Sequence, residues 1–343
     1  MQRKSMHNPG RRAVIAGLGA GLACSTALAQ LPAAKSAGIT RLDPRLDRII
    51  PPDAKIEVLA SGYTWSEGPL WVPQGEYLLF SDVPKNVVYR WSRASGAKPF
   101  LSPSGLQGAV PATIREPGAN GLALDRQGRL LLADSGSRAL VRVDLATRRR
   151  TVVADRFEGK RFNSPNDLVV SKSGAIYFTD PTYGLEGMDE SPVRELEFAG
   201  LYRLDPDGTL TVLDRTQRKP NGVGLSPDER TLYLALSDRE RPHVLAYALD
   251  ARGMPEGVRV FRDMRREQDA GLRGAPDGMD VAPDGHLFAS GPGGIHVLTP
   301  GGDLLGIIGT GKPIANACVG EGGKSLFITA SDQLCRVPLS TGS

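Results

Sequence analysis

Six oxygen-bearing side chains recur at intervals along this sequence, each at the start of a predicted apolar strand. They are Glu67, Asn120, Asn166, Asn221, Asp277 and Asn316. Two carboxylates and four amides, without a thiol or an imidazole, match the ligand preference of Ca²⁺, Mg²⁺ or Mn²⁺ rather than that of a soft metal. A divalent cation would also offset the repulsion between Glu67 and Asp277 if the fold placed them together. The set therefore predicts a divalent metal site, provided that the fold gathers these residues.

An internal repeat explains how the fold could gather them. Successive positions lie 39 to 56 residues apart, and a repeat of roughly 50 residues suits the four-stranded blade of a β-propeller. Second strands of the repeats are predicted at 77–81, 129–133, 175–179, 231–235, 286–289 and 325–329. Six copies predict an all-β, six-bladed propeller over residues 54–343. The innermost strand of every blade lines the central axis, so the six polar positions would converge there.

The Asn-Gly and Asp-Gly pairs within these repeats have a simpler interpretation as turns. Such dipeptides favour tight turns, and a single copy would usually be one. The same polar position precedes an apolar strand in every repeat, however, and this shared register favours a common site at the axis.

Three long segments and the N-terminal region complete the predicted architecture. Residues 55–60 are expected to supply the outer strand of the last blade and so close the ring, and residues 30–53 to form an irregular extension. Segments 101–119, 181–199 and 262–276 connect strands on the side where the inner strands begin. We therefore expect all three segments to lean over the polar ring.

The first 29 residues have the features of an export signal peptide. A basic region ends at Arg11-Arg12, an apolar run follows at 13–23, and small residues at 27–29 suit a signal peptidase. The arginine pair favours the twin-arginine route over Sec export. Cleavage before Gln30 would give a periplasmic or secreted protein without a membrane attachment.

Charge and composition exclude several classes of protein. The 41 glycines and 26 prolines, without collagen periodicity, indicate a turn-rich globular chain rather than a helical bundle or a disordered one. The formal net charge of +4 is equal to that of residues 1–29 alone, so the remaining chain carries none. A nucleic-acid partner therefore has no electrostatic support. A small-molecule substrate is expected instead, with the protein a monomer or a dimer.

The three cysteines do not form a framework. Cys24 lies in the leader. It could be a lipid acceptor, but a lipoprotein signal usually has a larger aliphatic residue where this chain has Gly21. Cys318 and Cys335 lack zinc-ligand spacing, and the strand prediction places them two strands apart. At about 10 Å they would be too far apart for a disulfide. Two buried free thiols are predicted.

The motifs around the polar positions identify a family. They are Ser66-Glu67-Gly68-Pro69-Leu70-Trp71, Asn120-Gly121-Leu122-Ala123, Arg161-Phe162-Asn163-Ser164-Pro165-Asn166-Asp167, Tyr177-Phe178-Thr179-Asp180-Pro181-Thr182-Tyr183-Gly184, Lys219-Pro220-Asn221-Gly222 and Pro276-Asp277-Gly278-Met279. In this order and spacing the chain resembles the SMP-30/gluconolactonase/LRE-like family, which includes gluconolactonases and regucalcin-like proteins. The resemblance covers roughly residues 55–339.

The resemblance implies a six-bladed propeller with a divalent metal at its axis. By position, Glu67, Asn221 and Asp277 match metal ligands of the family. Asn166 matches an asparagine that contacts substrate and in some relatives ligates the ion, and Asp167 follows it in the same motif. The expected cofactor is one divalent cation, Ca²⁺ first, with Zn²⁺, Mn²⁺ or Mg²⁺ as alternatives.

The implied activity is hydrolysis of a sugar lactone to the aldonic acid. The ion would polarise the lactone carbonyl oxygen. Asp277, or a water that it holds, is the candidate general base, and Asn120 and Asn166 are candidate donors to substrate oxygens. We therefore expect an enzyme, a gluconolactonase-like carboxylic ester hydrolase.

One departure and two rival functions stay open at this point. Many bacterial gluconolactonases carry a histidine where this chain has Ala133-Asp134-Ser135-Gly136, which bears on the substrate more than on the metal. The same metal site could hydrolyse other lactones or phosphotriesters. Alternatively, the propeller could be a noncatalytic module that binds Ca²⁺.

Overall fold

The predicted strands are present and form six antiparallel sheets. The computed structural model describes residues 37–340, and each of its six main sheets contains four or five strands. The innermost strand of each sheet contacts the innermost strands of both neighbouring sheets, so the sheets form a closed ring. The prediction of an all-β, six-bladed propeller is confirmed.

The first strands and blades follow the predicted order. The described part of the chain begins with β1 (Ala37–Arg41), a 3₁₀-helix (Pro44–Arg48) and β2 (Glu57–Ser61). Blade 1 comprises β3 (Ser66–Val72), β4 (Tyr77–Asp82), β5 (Val87–Ser92) and β6 (Gly96–Leu101), with a 3₁₀-helix at Pro73–Gly75. Blade 2 comprises β7 (Ala119–Leu124), β8 (Leu130–Asp134), β9 (Ala139–Val143) and β10 (Arg150–Ala154). A short ribbon follows, made of β11 (Arg156–Phe157) and β12 (Lys160–Arg161).

The remaining blades repeat this arrangement. Blade 3 comprises β13 (Leu168–Val170), β14 (Ile176–Asp180), β15 (Gly200–Leu204) and β16 (Leu210–Asp214), with a 3₁₀-helix at Met188–Glu190. Blade 4 comprises β17 (Pro220–Leu225), β18 (Thr231–Leu236), β19 (His243–Leu249) and β20 (Pro255–Asp263), followed by helix α1 (Arg265–Asp269). Blade 5 contains β21 (Met279–Val281), β22 (Leu287–Gly291), β23 (Gly294–Leu298) and β24 (Leu304–Thr310). Blade 6 contains β25 (Asn316–Gly320), a 3₁₀-helix (Glu321–Gly323), β26 (Ser325–Ala330) and β27 (Gln333–Pro338).

The two N-terminal strands complete blades 5 and 6. Strand β2 pairs antiparallel with β27, so blade 6 combines one strand from the N-terminal region with three from the C-terminal region, as predicted. Strand β1 pairs with β24 as a fifth strand of blade 5, so the prediction of an irregular extension was wrong for this segment. The backbone of β1 comes close to β24 because Gly306 has no side chain; a Cβ there would lie 2.5 Å from Thr40 O.

Hydrophobic residues fill the spaces between neighbouring blades. Six buried clusters lie between the six pairs of adjacent blades. The cluster between blades 6 and 1, where the ring closes, includes Trp71 stacked on Phe327 with ring centroids 5.5 Å apart. Burial of large apolar and aromatic side chains at every junction holds the blades in one ring.

Cys318 and Cys335 are buried free thiols on β25 and β27, as predicted. The α-helix in the described part of the chain has five residues, and no helix there is suited to crossing a membrane. The predicted signal peptide, with its arginine pair and Cys24, lies outside the described residues.

Candidate active site

Five of the six predicted polar positions line one cavity, at the end of the central channel where the inner strands begin. They are Glu67, Asn120, Asn166, Asn221 and Asp277, and the cavity has a volume of about 620 Å³. The first four are 4–6% exposed, and Asp277 is partly exposed. The register of the repeat thus brings together side chains that are distant in sequence, as the sequence predicts.

Backbone contacts between blades fix the positions of these side chains. The N–H of Gly121 donates to Asn166 O at 2.8 Å, and the N–H of Gly222 donates to Asp277 O at 3.1 Å. Each of these bonds joins the inner strand of one blade to the start of the next. Preorganised polar groups on such a frame need little rearrangement to bind an ion or a substrate.

Glu67 and Asn221 are oriented by neighbouring groups. The Trp65 indole Nε1–H donates to Glu67 Oε1 at 3.3 Å, and the Gly68 N–H donates to Glu67 Oε2 at 3.2 Å. The Asn221 Nδ2 donates to Ser237 Oγ at 2.9 Å. Asn221 Oδ1 is consequently left to accept from, or ligate, a group in the cavity. Such supporting hydrogen bonds are typical of residues that hold metal ions.

Two carboxylates of the ring lie close together without a cationic partner. Burial raises the pKa of both Glu67 and Asp277, and the electrostatic interaction between them raises the pKa of Asp277 further. Among the described residues, no lysine, arginine or histidine forms an ion pair with either one. The donor set therefore suits a divalent cation, whose charge would compensate the two buried carboxylates.

Asp167 and Asn316 lie deeper in the channel. They line a second cavity, beyond the ring residues along the inner strands. The carboxylate of Asp167 accepts the N–H of Leu168 at 2.9 Å and that of Val223 at 3.2 Å, so it ties blade 3 to blade 4. Asn316 Oδ1 accepts the N–H of the next residue at 2.8 Å. The predicted substrate contact Asp167 therefore lines the second cavity rather than the first, although it interacts electrostatically with Glu67 and Asp277.

Asp280 repeats the arrangement of Asp167 between blades 5 and 6. Its carboxylate accepts the N–H of Val281 at 2.8 Å and that of Val319 at 2.7 Å. Burial raises the pKa of Asp280 to about 6 and that of Asp167 to about 7. Both carboxylates hold neighbouring inner strands together.

The three long segments contribute to the cavity as predicted. Segment 101–119 supplies Arg115 and Glu116, segment 181–199 supplies Tyr183, and segment 262–276 supplies Gly274 and Ala275. Arg115, Glu116, Tyr183 and Gly274 were missed by the sequence reasoning because loop residues have no strand period.

A second set of wall residues did carry a signal in the sequence. Trp65, Lys219, Ala275 and Ile314 each lie two residues before a ring position and line the cavity. Alternate residues of an extended segment point to the same side, so this spacing could have identified all four. Lys219 is the charged member of the set and has no ion-pair or hydrogen-bond partner through its side chain within residues 37–340.

The segment that departs from the family pattern has a structural use. Asp134 forms a buried ion pair with Arg150 at 2.7 Å and accepts the N–H of Ser137 at 2.8 Å. The Ser135 hydroxyl donates to Pro165 O at 2.8 Å. Neither Asp134 nor Ser135 lines the cavity, so this stretch shapes the neighbouring loops and leaves the cavity walls to other residues.

Comparison with known proteins agrees with the resemblance in the motifs. The sequence model of the SMP-30/gluconolactonase/LRE-like region matches residues 65–332. A gluconolactonase from Zymomonas mobilis is 49% identical over 307 residues, which cover 88% of this chain and 86% of that protein. A pentonolactonase from Haloferax volcanii is 26% identical over 228 residues, 65% of each chain.

A solved structure adds agreement in the fold. The gluconolactonase from Xanthomonas campestris superposes with a TM-score of 0.77 at 32% sequence identity, covering 89% of this chain and 96% of that chain. The match extends over nearly the whole propeller. The chain therefore belongs to the SMP-30/gluconolactonase/LRE-like family.

Proposed function

We propose that this protein is a metal-dependent lactonase that opens the ester ring of a sugar lactone to give the aldonic acid. The observation that carries the proposal is the cavity in which Glu67, Asn221 and Asp277 meet with two further asparagines. The gluconolactonase and pentonolactonase relatives support a lactone as the substrate class.

The proposed cofactor is one divalent cation, with Ca²⁺ preferred because all available donors are oxygen atoms. Glu67, Asn221 and Asp277 would hold it, and Asn166 would be either a fourth ligand or a substrate contact. When bound, such an ion stabilises the negative charge that develops on the carbonyl oxygen of the lactone.

The residues of the chain supply the remaining steps. Asp277 accepts a proton from the attacking water, whose oxygen bonds to the carbonyl carbon. Asn120 and Asn166 donate hydrogen bonds to substrate oxygens and orient the ring. The bond between the carbonyl carbon and the ring oxygen then breaks, and the proton passes to that oxygen as it becomes the hydroxyl of the product. Trp65 and Ile314 limit the access of bulk water.

A substrate panel tests this function against its rivals. Protein stripped of metal and replenished with Ca²⁺ would be assayed with D-glucono-δ-lactone, 3,4-dihydrocoumarin and paraoxon. We expect gluconolactone to have the highest kcat/KM. Preferred turnover of dihydrocoumarin or paraoxon would contradict the sugar-lactone assignment. Tight Ca²⁺ binding without turnover of any of the three would indicate a noncatalytic propeller.

The proposed location of the protein in the cell rests on residues 1–29. We propose that residues 1–29 direct export through the twin-arginine route to the periplasm or beyond it. A reporter fused to these residues should be exported, and replacing Arg11 and Arg12 together with lysine should block its export. Unchanged export of that double variant would favour the Sec route.

A further inference from the structure

Two loop residues on the cavity wall carry hydrogen-bonding groups that the rest of the protein leaves unused. Glu116 Oε1 accepts from Arg115 Nη2 at 2.6 Å, whereas its Oε2 has no hydrogen-bond partner within residues 37–340. The hydroxyl of Tyr183 is buried beside Ser237 without a hydrogen bond of proper geometry in the same part of the chain. The buried Tyr183 hydroxyl lacks the partner that buried polar groups nearly always have, and the partly exposed Glu116 offers a free acceptor in the same cavity. The two residues therefore point to a ligand that pairs them.

The two residues are held on one platform. The backbone N–H groups of Arg115 and Glu116 donate to Gly184 O at 2.8 and 3.2 Å, and the Glu186 N–H donates to Thr113 O at 2.9 Å. These bonds join the loop before blade 2 to the loop after β14. Tyr183 directly precedes Gly184. The Glu116 carboxylate and the Tyr183 hydroxyl are therefore held by the same backbone hydrogen bonds between the two loops.

The platform adjoins the polar ring. Glu116 is close enough to Glu67 and Asp277 to interact electrostatically with both, and Tyr183 interacts electrostatically with Asp277 and with Glu116. Both residues line the same cavity as the ring. A molecule whose reacting carbon lies at Asp277 would therefore present its other substituents to Glu116 and Tyr183.

We propose that Glu116 and Tyr183 form a hydroxyl-binding subsite that selects polyhydroxylated lactones over lactones without hydroxyl groups. The inference rests on the proposed lactonase function and names the part of the substrate that is recognised. A free carboxylate oxygen accepts a hydrogen bond from one substrate hydroxyl, and the phenol donates to a second. Burial raises the pKa of Tyr183, so the phenol keeps its proton near neutral pH.

The selectivity follows from the cost of unpaired groups. A lactone without hydroxyls displaces water from both protein groups without offering them a hydrogen bond, so it is discriminated against. Removing one group should cost the hydroxylated substrate about tenfold or more in kcat/KM. For a lactone that does not contact the group, kcat/KM should hardly change.

Kinetics of Glu116→Gln and Tyr183→Phe test the subsite. With Ca²⁺-loaded protein, we expect kcat/KM for D-glucono-δ-lactone to fall at least tenfold in each variant, mainly through KM. For δ-valerolactone, which has the same ring without hydroxyls, we expect a change below twofold. Glu186→Gln, an exposed neighbour on the same platform, is the matched control and should not alter either value. Equal losses on both lactones, or no loss on gluconolactone, would overturn the subsite.

A binding measurement separates this inference from the proposed function. Calorimetric titration with 1,5-anhydro-D-glucitol, a hydroxylated ring without a carbonyl, requires no turnover. We expect wild-type protein to bind it and both variants to bind at least fivefold more weakly, with unchanged thermal melting. Equal binding by wild type and variants would overturn the subsite. Absence of lactone turnover in wild type, with the binding difference retained, would refute the lactonase proposal alone.

Discussion

Asp277 combines partial access to the cavity with an electrostatic interaction with a second carboxylate, Glu67. Burial and that interaction raise the pKa of Asp277, so the metal-free protein favours the protonated form of this side chain. A bound divalent cation would reverse this preference and leave the carboxylate ionised. In the proposed mechanism, Asp277 would therefore link metal binding to proton transfer.

Replacing Asp277 with asparagine tests this role. The amide keeps the size of the side chain but cannot accept the proton of the attacking water. We expect kcat for gluconolactone to fall by about 10²–10⁴-fold and Ca²⁺ binding to weaken. The measurements are pH-stat kinetics and calorimetric titration. Asp284→Asn, in the exposed turn between β21 and β22 of the same blade, is the control. Activity within a few-fold of wild type would exclude Asp277 as the base.

Ser237 orients Asn221, which is a proposed metal ligand. Its hydroxyl accepts from Asn221 Nδ2 and donates to Pro276 O at 2.6 Å. With Ser237→Ala, Asn221 can rotate and offer its amide hydrogens to the cavity. We expect Ca²⁺ affinity to drop about 10-fold, within the range of supporting groups at metal sites.

The matched control is Ser92→Ala, in the exposed pairing of Ser92 with Ser95 on blade 1. It should leave Ca²⁺ affinity unchanged. If Ser237→Ala binds Ca²⁺ as tightly as wild type, Asn221 is either held by other contacts or does not ligate the ion.

At the scale of elements, the glycines of the Asn-Gly and Asp-Gly pairs at the ring are packing positions rather than turns. A Cβ on Gly222 would lie 2.2 Å from Asp277 O, and one on Gly278 would lie 1.9 Å from Asn316 Cγ. Both residues adopt negative φ, so space and not backbone conformation requires glycine here. The Asn-Gly and Asp-Gly pairs therefore mark where one inner strand passes close to the next.

Gly222→Ala tests that explanation. The added methyl group would push blade 4 away from blade 5 at the level of the ring. We expect the free energy of unfolding to fall by about 1–3 kcal/mol and Ca²⁺ affinity to fall with it. Gly257→Ala, on the outer strand β20 with no atom within 4 Å of the new Cβ, should change stability by less than about 0.5 kcal/mol. Denaturant unfolding measures both, and equal effects would contradict the close-approach explanation.

The strands and the ring could be predicted because their sequence pattern occurs six times along the chain. Strands such as β4 and β26 differ from their predicted bounds by one residue. Strand β1 could not be predicted in this way, since it occurs once and its pairing depends on a distant strand. Glu116 and Tyr183 were missed for the same reason, because contacts between two loops leave no periodic pattern. Asp167 and Asn166 line different cavities because neighbouring residues of an extended segment point in opposite directions.

At the scale of the whole molecule, buried carboxylates lie along the channel, and this arrangement predicts an unusual dependence of stability on pH. Glu67, Asp167 and Asp277 all have raised pKa values, with that of Asp167 at about 7. In unfolded chains these groups ionise near pH 4. The folded protein therefore retains protons that the unfolded chain has lost, and stability falls as pH rises through the raised values.

Stability of the metal-free protein should accordingly decline between pH 6.5 and pH 8. Below this window buried His296, whose pKa is lowered to about 3, has the opposite effect because the unfolded imidazole binds a proton near pH 6.5. Thermal unfolding in the presence of a chelator measures the decline. Ca²⁺ should make it smaller by compensating the ring carboxylates Glu67 and Asp277. A constant or rising melting temperature across this window would contradict the account.

Metal titration of the stripped protein tests the central claim most directly. Aliquots of Ca²⁺ would be added while binding is followed by calorimetry and gluconolactone hydrolysis by pH-stat. We predict that stripped protein is inactive, that one ion binds per chain, and that activity rises in proportion to its occupancy. Full activity without metal, or saturation of the site without any gain in hydrolysis, would contradict a lactonase built on this ring.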